Sequence, residues 1–223
     1  MFPKTRLKTV FPTLDFSEIA CPDMSVSGGS FFEDDPTHED LQKAAKRLAD
    51  FQQKHPNALL ANGYLEQRSF YNTSNFERIT KGKKEYRNIH LGTDFWVPAR
   101  TPVHSPFNGT IVISYNNDIH KDYGPLLVIE HRYEDRVFYT LYGHLSLDSL
   151  AISQKGKMVK QGTHIGYIGN EEENGHWVPH LHFQLLTDVL DETENYPGVA
   201  YPSEIKTWRK RCPNPTVLFE EVF

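Results

Sequence analysis

This sequence predicts a mainly β, antiparallel fold with a single helix ahead of it, on three observations. From residue 90 onward the chain breaks into short β-like runs at 110–115, 126–131, 137–142, 164–168 and 180–186. Gly, Pro and Asn separate these runs, and Asn108-Gly109 and Lys155-Gly156 mark turns. No amphipathic helix intervenes between them, which argues against a βαβ alternation.

Ahead of the β region, residues 1 to about 34 read as irregular, punctuated by Pro3, Pro12, Pro22 and Gly28-Gly29. A helix follows, with Asp35 as its N-cap and Pro36 at its first position, where a missing N–H costs nothing. Leu41, Ala44, Ala45, Leu48 and Phe51 fall on one face at helical spacing, so the helix is expected to pack on the main domain. Between 64 and 86 the aromatic residues Phe70, Tyr71, Phe76 and Tyr86 surround a basic turn, Lys81-Gly82-Lys83-Lys84. That stretch reads as a solvated hairpin or loop, or as a wall of a groove. A short helix is expected at 203–211, stopped by Pro213 and Pro215. The chain then divides into an N-terminal extension (1–60), a β domain (61–195) and a tail (196–223).

Composition narrows the function classes. At 223 residues the chain can bury a substantial core, and 38% hydrophobic with 24% charged residues is ordinary for a globular protein. A net charge of −5 argues against a general binder of nucleic acid or of anionic membranes. No run approaches the roughly 20 apolar residues of a membrane span. The first ten residues lack the apolar stretch of an export signal, so a cytoplasmic protein is expected. Cys21 and Cys212 make neither a disulfide framework nor a thiolate zinc site. Oligomeric state is not encoded in any pattern found.

The chemistry concentrates in three places. In Val178-Pro179-His180-Leu181-His182-Phe183, two histidines one residue apart point to the same side of a strand, while Leu181 and Phe183 pack on the other. His90-Leu91-Gly92-Thr93-Asp94 adds an imidazole and a carboxylate, with a glycine to let the backbone turn between them. Two imidazoles and one carboxylate with a position left for water form the pattern of a catalytic zinc site. The third place is Tyr142-Gly143-His144-Leu145; taken alone, His144 reads as a hydrogen-bonded structural residue. The remaining histidines read as surface or packing residues.

His-x-x-x-Asp, then Gly-His-Leu, then Pro-His-Leu-His-Phe, in this order, resembles the lysostaphin-type (LytM-like) zinc metallopeptidases over roughly residues 86 to 188. The resemblance implies that His90, Asp94 and His182 bind one Zn2+ per chain and that His180 is the general base. It implies that His144 orients the attacking water or stabilises the developing oxyanion. The implied fold is an antiparallel β-sandwich of the duplicated hybrid motif kind, with loops walling a narrow groove. The segments 101–109 and 157–166 resemble its strand-turn element and the hairpin it shares with lipoyl-like domains. Gln184 departs from the glutamate the family often carries after His-x-His-Phe. Residues 63–68 and the tail from Tyr196 to Pro213 resemble a peptidase-like module fused to class III aminotransferases.

The expected function is therefore a zinc-dependent metallo-endopeptidase cutting an amide bond in short or glycine-containing peptides, with a peptide as its partner. The alternative is a catalytically silent, zinc-stabilised module that binds a peptide or glycan. An acyl-carrier role, prompted by Lys157-Met158 in the lipoyl-like hairpin, leaves the metal residues idle. The acidic run Glu171, Glu172 and Glu173 is a candidate groove rim favouring amine-bearing substrates.

Overall fold

The computed structural model describes residues 1–25, 41–69, 71 and 73–223. The expected cap at Asp35 and Pro36, the Gly28-Gly29 pair and Phe70 lie outside the described residues.

Eight strands form the main sheet, in the spatial order Glu18–Ala20, Ala58–Asn62, Thr93–Trp96, Leu181–Leu186, Arg136–Gly143, Gly124–Tyr133, Gly109–Asn117 and Met158–Val159. Every neighbouring pair is antiparallel except the first, where Ile19 pairs with Leu59 in parallel. Period-two alternation sorts the side chains of this sheet. Leu59, Ala61, Phe95, Leu127, Ile129, Phe138, Tyr142, Leu181, Phe183 and Leu185 share one apolar cluster on one face. The antiparallel pair Pro102–His104 and His164–Tyr167 closes over that cluster through Val103 and Ile165.

The opposite face carries two separate clusters. Leu60 and Trp96 pack with Ala44 and Leu48 of the helix Leu41–Lys54, while Leu126, Val128, Leu141 and Leu186 pack with Tyr196 and Ala200 from the tail. Asp94 and His182 also point to this face; they are direct cross-strand partners. A polar site thus sits on the sheet with apolar packing to either side of it.

Apart from Ile168 and His180 at their ends, the β runs expected from sequence fall within the strands found, and the helix packs by Ala44, Leu48 and Phe51 of its expected face, while Ala45 is exposed. The tail helix spans Ile205–Arg211 after a 3-10 turn at Pro202–Glu204. Two details differ. The first 25 residues are not irregular throughout: they contain a helical turn, Leu7–Val10, and the edge strand Glu18–Ala20. Leu7, Val10 and Phe11 are buried in the main core with Phe95. Elements of three or four residues are too short to carry a period, and these form by docking on residues far away in sequence. His180 lies just before the strand Leu181–Leu186, not inside it. Among the described residues no helix is long and apolar enough to cross a membrane.

Candidate metal centre and active site

Three stretches of chain bring His90, Asp94 and His182 together, each no more than 3% exposed. His90 Nε2 lies 2.9 Å from His182 Nδ1, and each of these nitrogens lies 3.2 Å from Asp94 Oδ1.

The surrounding hydrogen bonds fix which atoms carry protons. A carbonyl only accepts, so His90 Nδ1, 3.0 Å from the Gly63 carbonyl, is the donor and Nε2 is bare in the neutral ring. Gln184 Nε2 donates to the Pro197 carbonyl at 3.1 Å, which turns its Oε1 toward His182. His182 Nε2 therefore donates to Gln184 Oε1 at 2.9 Å, and its Nδ1 is bare. Asp94 Oδ1 has no hydrogen-bond donor, while Oδ2 accepts from Arg68 Nη1 at 2.6 Å.

Two bare ring nitrogens and a carboxylate oxygen thus converge with no proton among them. In a buried place this arrangement is repulsive unless a cation lies between the three atoms. Zinc bound to nitrogen and oxygen at tetrahedral angles sets its ligand atoms about 3.3 Å apart, close to the 2.9 and 3.2 Å found here. The donor set therefore fits a divalent ion such as zinc, and all three side chains are oriented through their far atoms, as metal ligands are.

Electrostatics agree. Burial would raise the Asp94 carboxyl, but the neighbouring His90 and Arg68 outweigh it and hold the group well below the usual carboxylate range. Burial, reinforced by Arg68 and opposed by Asp94, pushes His90 down to about 3, so its ring is neutral at physiological pH. Neutral imidazole and ionised carboxylate are the forms that bind metal.

Gly92 has a stricter role than the turn expected of it. A Cβ there would fall 2.7 Å from Cε1 and Nε2 of His182 and 2.8 Å from the Phe183 carbonyl oxygen. Only glycine lets the loop between His90 and Asp94 lie against the His182 ring.

Two further imidazoles adjoin the cluster. His180 Nδ1 donates to the Val178 carbonyl at 2.7 Å, leaving Nε2 bare and 3.8 Å from Asp94 Oδ1. Trp96 stacks on the ring at 4.5 Å. His144, at a positive φ of 63°, donates from Nδ1 to the Asn174 carbonyl at 2.8 Å. The two rings lie 4.3 Å apart, centroid to centroid. Burial lowers the pKa of both, with Asp94 opposing it at His180 and the neighbouring His180 adding to it at His144. All five residues singled out from the sequence are therefore brought together.

Sequence reasoning missed Arg68, Glu66 and the Gly63 carbonyl, which contact the cluster from outside its motifs. It also missed Tyr71 and Trp177, whose rings meet edge to face at 5.7 Å beside His144. The groove-wall reading of 64–86 was the one signal available for Tyr71. Of the acidic run, Glu173 is engaged by the backbone N–H groups of Leu147 and Asn170.

A mainly antiparallel sheet presenting a buried His-Asp-His cluster and two neutral imidazoles is the equipment of a metal-dependent hydrolase. Residues 88–193 match the model of peptidase family M23, and the chain carries a domain of that family, whose members are hydrolases acting on peptide bonds. Over 98 residues it is 37% and 38% identical to the peptidoglycan DD-endopeptidases ShyA and ShyB of Vibrio cholerae, which covers 44% of this chain and 20% of each relative. The chain thus matches about a fifth of the length of those relatives. It is also similar to a zinc-containing peptidase from Vibrio cholerae, at 31% identity and a TM-score of 0.37, over 49% of this chain and 30% of that one. The relatives found do not support the likeness to an aminotransferase-linked module. Nor do they support the expected cytoplasmic placement, since peptidoglycan lies outside the cytoplasm.

Proposed function

We propose that this chain is a zinc-dependent metallo-endopeptidase that hydrolyses an amide bond in short or glycine-containing peptides, with one zinc held by His90 Nε2, Asp94 Oδ1 and His182 Nδ1. Zinc in such a set lowers the pKa of water and polarises a carbonyl. The chain's own residues do the rest. His180 is the general base: its bare Nε2 takes the proton of the attacking water and returns it to the leaving amine, while the Val178 carbonyl and the Trp96 ring fix its plane. His144 also presents a bare Nε2, so it accepts a hydrogen bond from the water and orients it. It donates to an oxyanion only after gaining a proton, which its burial opposes.

The observation that carries this reading is the convergence of three unprotonated donor atoms within 3.2 Å of one another, each oriented from behind. The substrate class we infer is a peptide of the peptidoglycan kind, after the relatives' named substrate. If so, the chain acts outside the cytoplasm; a cytoplasmic location goes with short free peptides instead.

One observation favours the silent-module alternative. His180 and His144 are only 4% and 6% exposed, and the cavity beside His144 and His182 holds about 50 Å³. That is a small space for a peptide substrate.

Metal quantification with a mass-spectrometric cleavage assay on a peptide library and on peptidoglycan fragments separates the readings. Zinc near one per chain, with cleavage that His180→Ala abolishes while zinc is retained, is the result expected. Zinc and peptide binding without turnover would select the silent module.

A further inference from the structure

Arg68 lies outside the family-matched segment and is 1% exposed, yet it touches the metal cluster directly. Its Nη1 donates to Asp94 Oδ2 at 2.6 Å and its Nε to Glu66 Oε2 at 2.9 Å. Glu66 is held in turn by Asn62 Nδ2, 3.3 Å from both of its oxygens, and by the Met24 N–H at 3.4 Å. The guanidinium is therefore fixed from the side away from Asp94 and cannot follow that carboxylate if it turns. Gly63 makes room for it: its φ is +114°, and a Cβ there would fall 2.2 Å from Arg68 Nη2.

The two oxygens of Asp94 are consequently unlike. Oδ2 is taken by Arg68, and Oδ1 faces the three bare imidazole nitrogens. A carboxylate can bind a metal through one oxygen or both, and zinc accepts a fifth ligand. Turning Oδ2 onto the ion would strip a buried arginine of a charged partner, which is strongly unfavourable.

We propose that Arg68 is a positioning residue that restricts Asp94 to a single ligating oxygen, so that the position needed for the reaction is not filled by the protein itself. The inference rests on the metallo-hydrolase reading above. It differs from a plain structural role, in which the Arg68 ion pairs only fasten the segment 63–68 to the sheet. A structural clamp changes how much protein is folded; a positioning residue changes the coordination of the metal in protein that is folded.

The test compares wild type, Arg68→Met, Arg68→Lys and Glu66→Gln with a control, Arg78→Met, which breaks an ion-pair network between the 77–86 hairpin and Glu204, away from the cluster. Each is loaded with zinc for metal content, kcat and KM, and with cobalt(II) for its visible absorption, which weakens when a fourth ligand becomes a fifth. Arg68→Met is expected to keep its metal, to show weaker cobalt absorption, and to lose about 10–100-fold in kcat with KM little changed, the usual scale for an outer-shell partner. Arg68→Lys, which retains a charged donor for Asp94, should recover most of both.

Cobalt absorption identical to wild type in Arg68→Met, or a kcat loss that only tracks folded protein as in Arg78→Met, overturns the proposal. Where Arg68→Met does not fold, Glu66→Gln, which loosens the hold on the guanidinium, decides: altered absorption supports the proposal, and unchanged absorption overturns it. A wild type that binds cobalt but cleaves nothing would sink the hydrolase reading, while the absorption comparison would still settle the role of Arg68.

Discussion

Gln184→Glu restores the residue the family often carries, and in this chain it is expected to be costly. Gln184 is fully buried, accepts from His182 Nε2 at 2.9 Å, and donates from its own Nε2 to the Pro197 carbonyl at 3.1 Å and to Cys212 Sγ at 3.2 Å. A carboxylate keeps the first contact and turns the second into two acceptors facing each other. The Pro197 carbonyl then lacks its donor, at a cost of about 1–3 kcal/mol for an unsatisfied buried group.

Burial and the facing carbonyl raise the folded-state pKa of the new carboxyl above its unfolded value of about 4.3. The sign follows: the stability deficit is full at high pH and shrinks as pH falls through the folded pKa, because the protonated acid can donate to Pro197 again. Urea unfolding of metal-free wild type and Gln184→Glu at a series of pH values measures it. A deficit of about 1–3 kcal/mol near neutrality, closing toward pH 4, is the expected result. Equal stability at neutral pH, or a gap that does not change with pH, would refute the reasoning.

Three other outcomes are expected. His180→Ala should lower kcat about 10²–10⁴-fold with zinc content unchanged, measured by peptide cleavage beside metal analysis; loss of the metal as well would deny His180 a role separate from the ligands. Removing zinc leaves His90 Nε2, His182 Nδ1 and Asp94 Oδ1 facing one another unscreened. Calorimetry should therefore show Tm falling on chelation and recovering with zinc, since free zinc at about 100 times its Kd stabilises by about 2.7 kcal/mol. His131, far from the cluster, is buried and hydrogen-bonded to the Asn108 carbonyl and to Thr140, and burial lowers its pKa to about 4. The unfolded chain binds the proton first, so this histidine costs stability as pH falls from about 6.5 toward 4, with a ceiling of about 3 kcal/mol. A His131→Gln protein whose acid limb stays as steep as that of wild type contradicts this.

The sequence by itself determined whatever depends on neighbours a few residues away. Alternation in 180–186 set His180 and His182 on one face and Leu181 and Phe183 on the other, because the pleat sends successive residues to opposite faces. The helical spacing of Leu41, Ala44, Ala45, Leu48 and Phe51 did the same for the helix at Ala44, Leu48 and Phe51, though not at the exposed Ala45. The histidine motifs were legible because each is local, and the resemblance they carry supplied their roles.

The tertiary structure alone decided how those motifs are held. The donor for Asp94, the acceptor for His90 and the partners that orient Gln184 come from Arg68, Gly63, Pro197 and Cys212. None shows a pattern in its own neighbourhood. The strand Glu18–Ala20 likewise exists only by pairing with residues about 40 positions away. Local periodicity places a side chain on a face of the sheet. Its protonation state and its aim depend on groups that meet it only when the chain is folded.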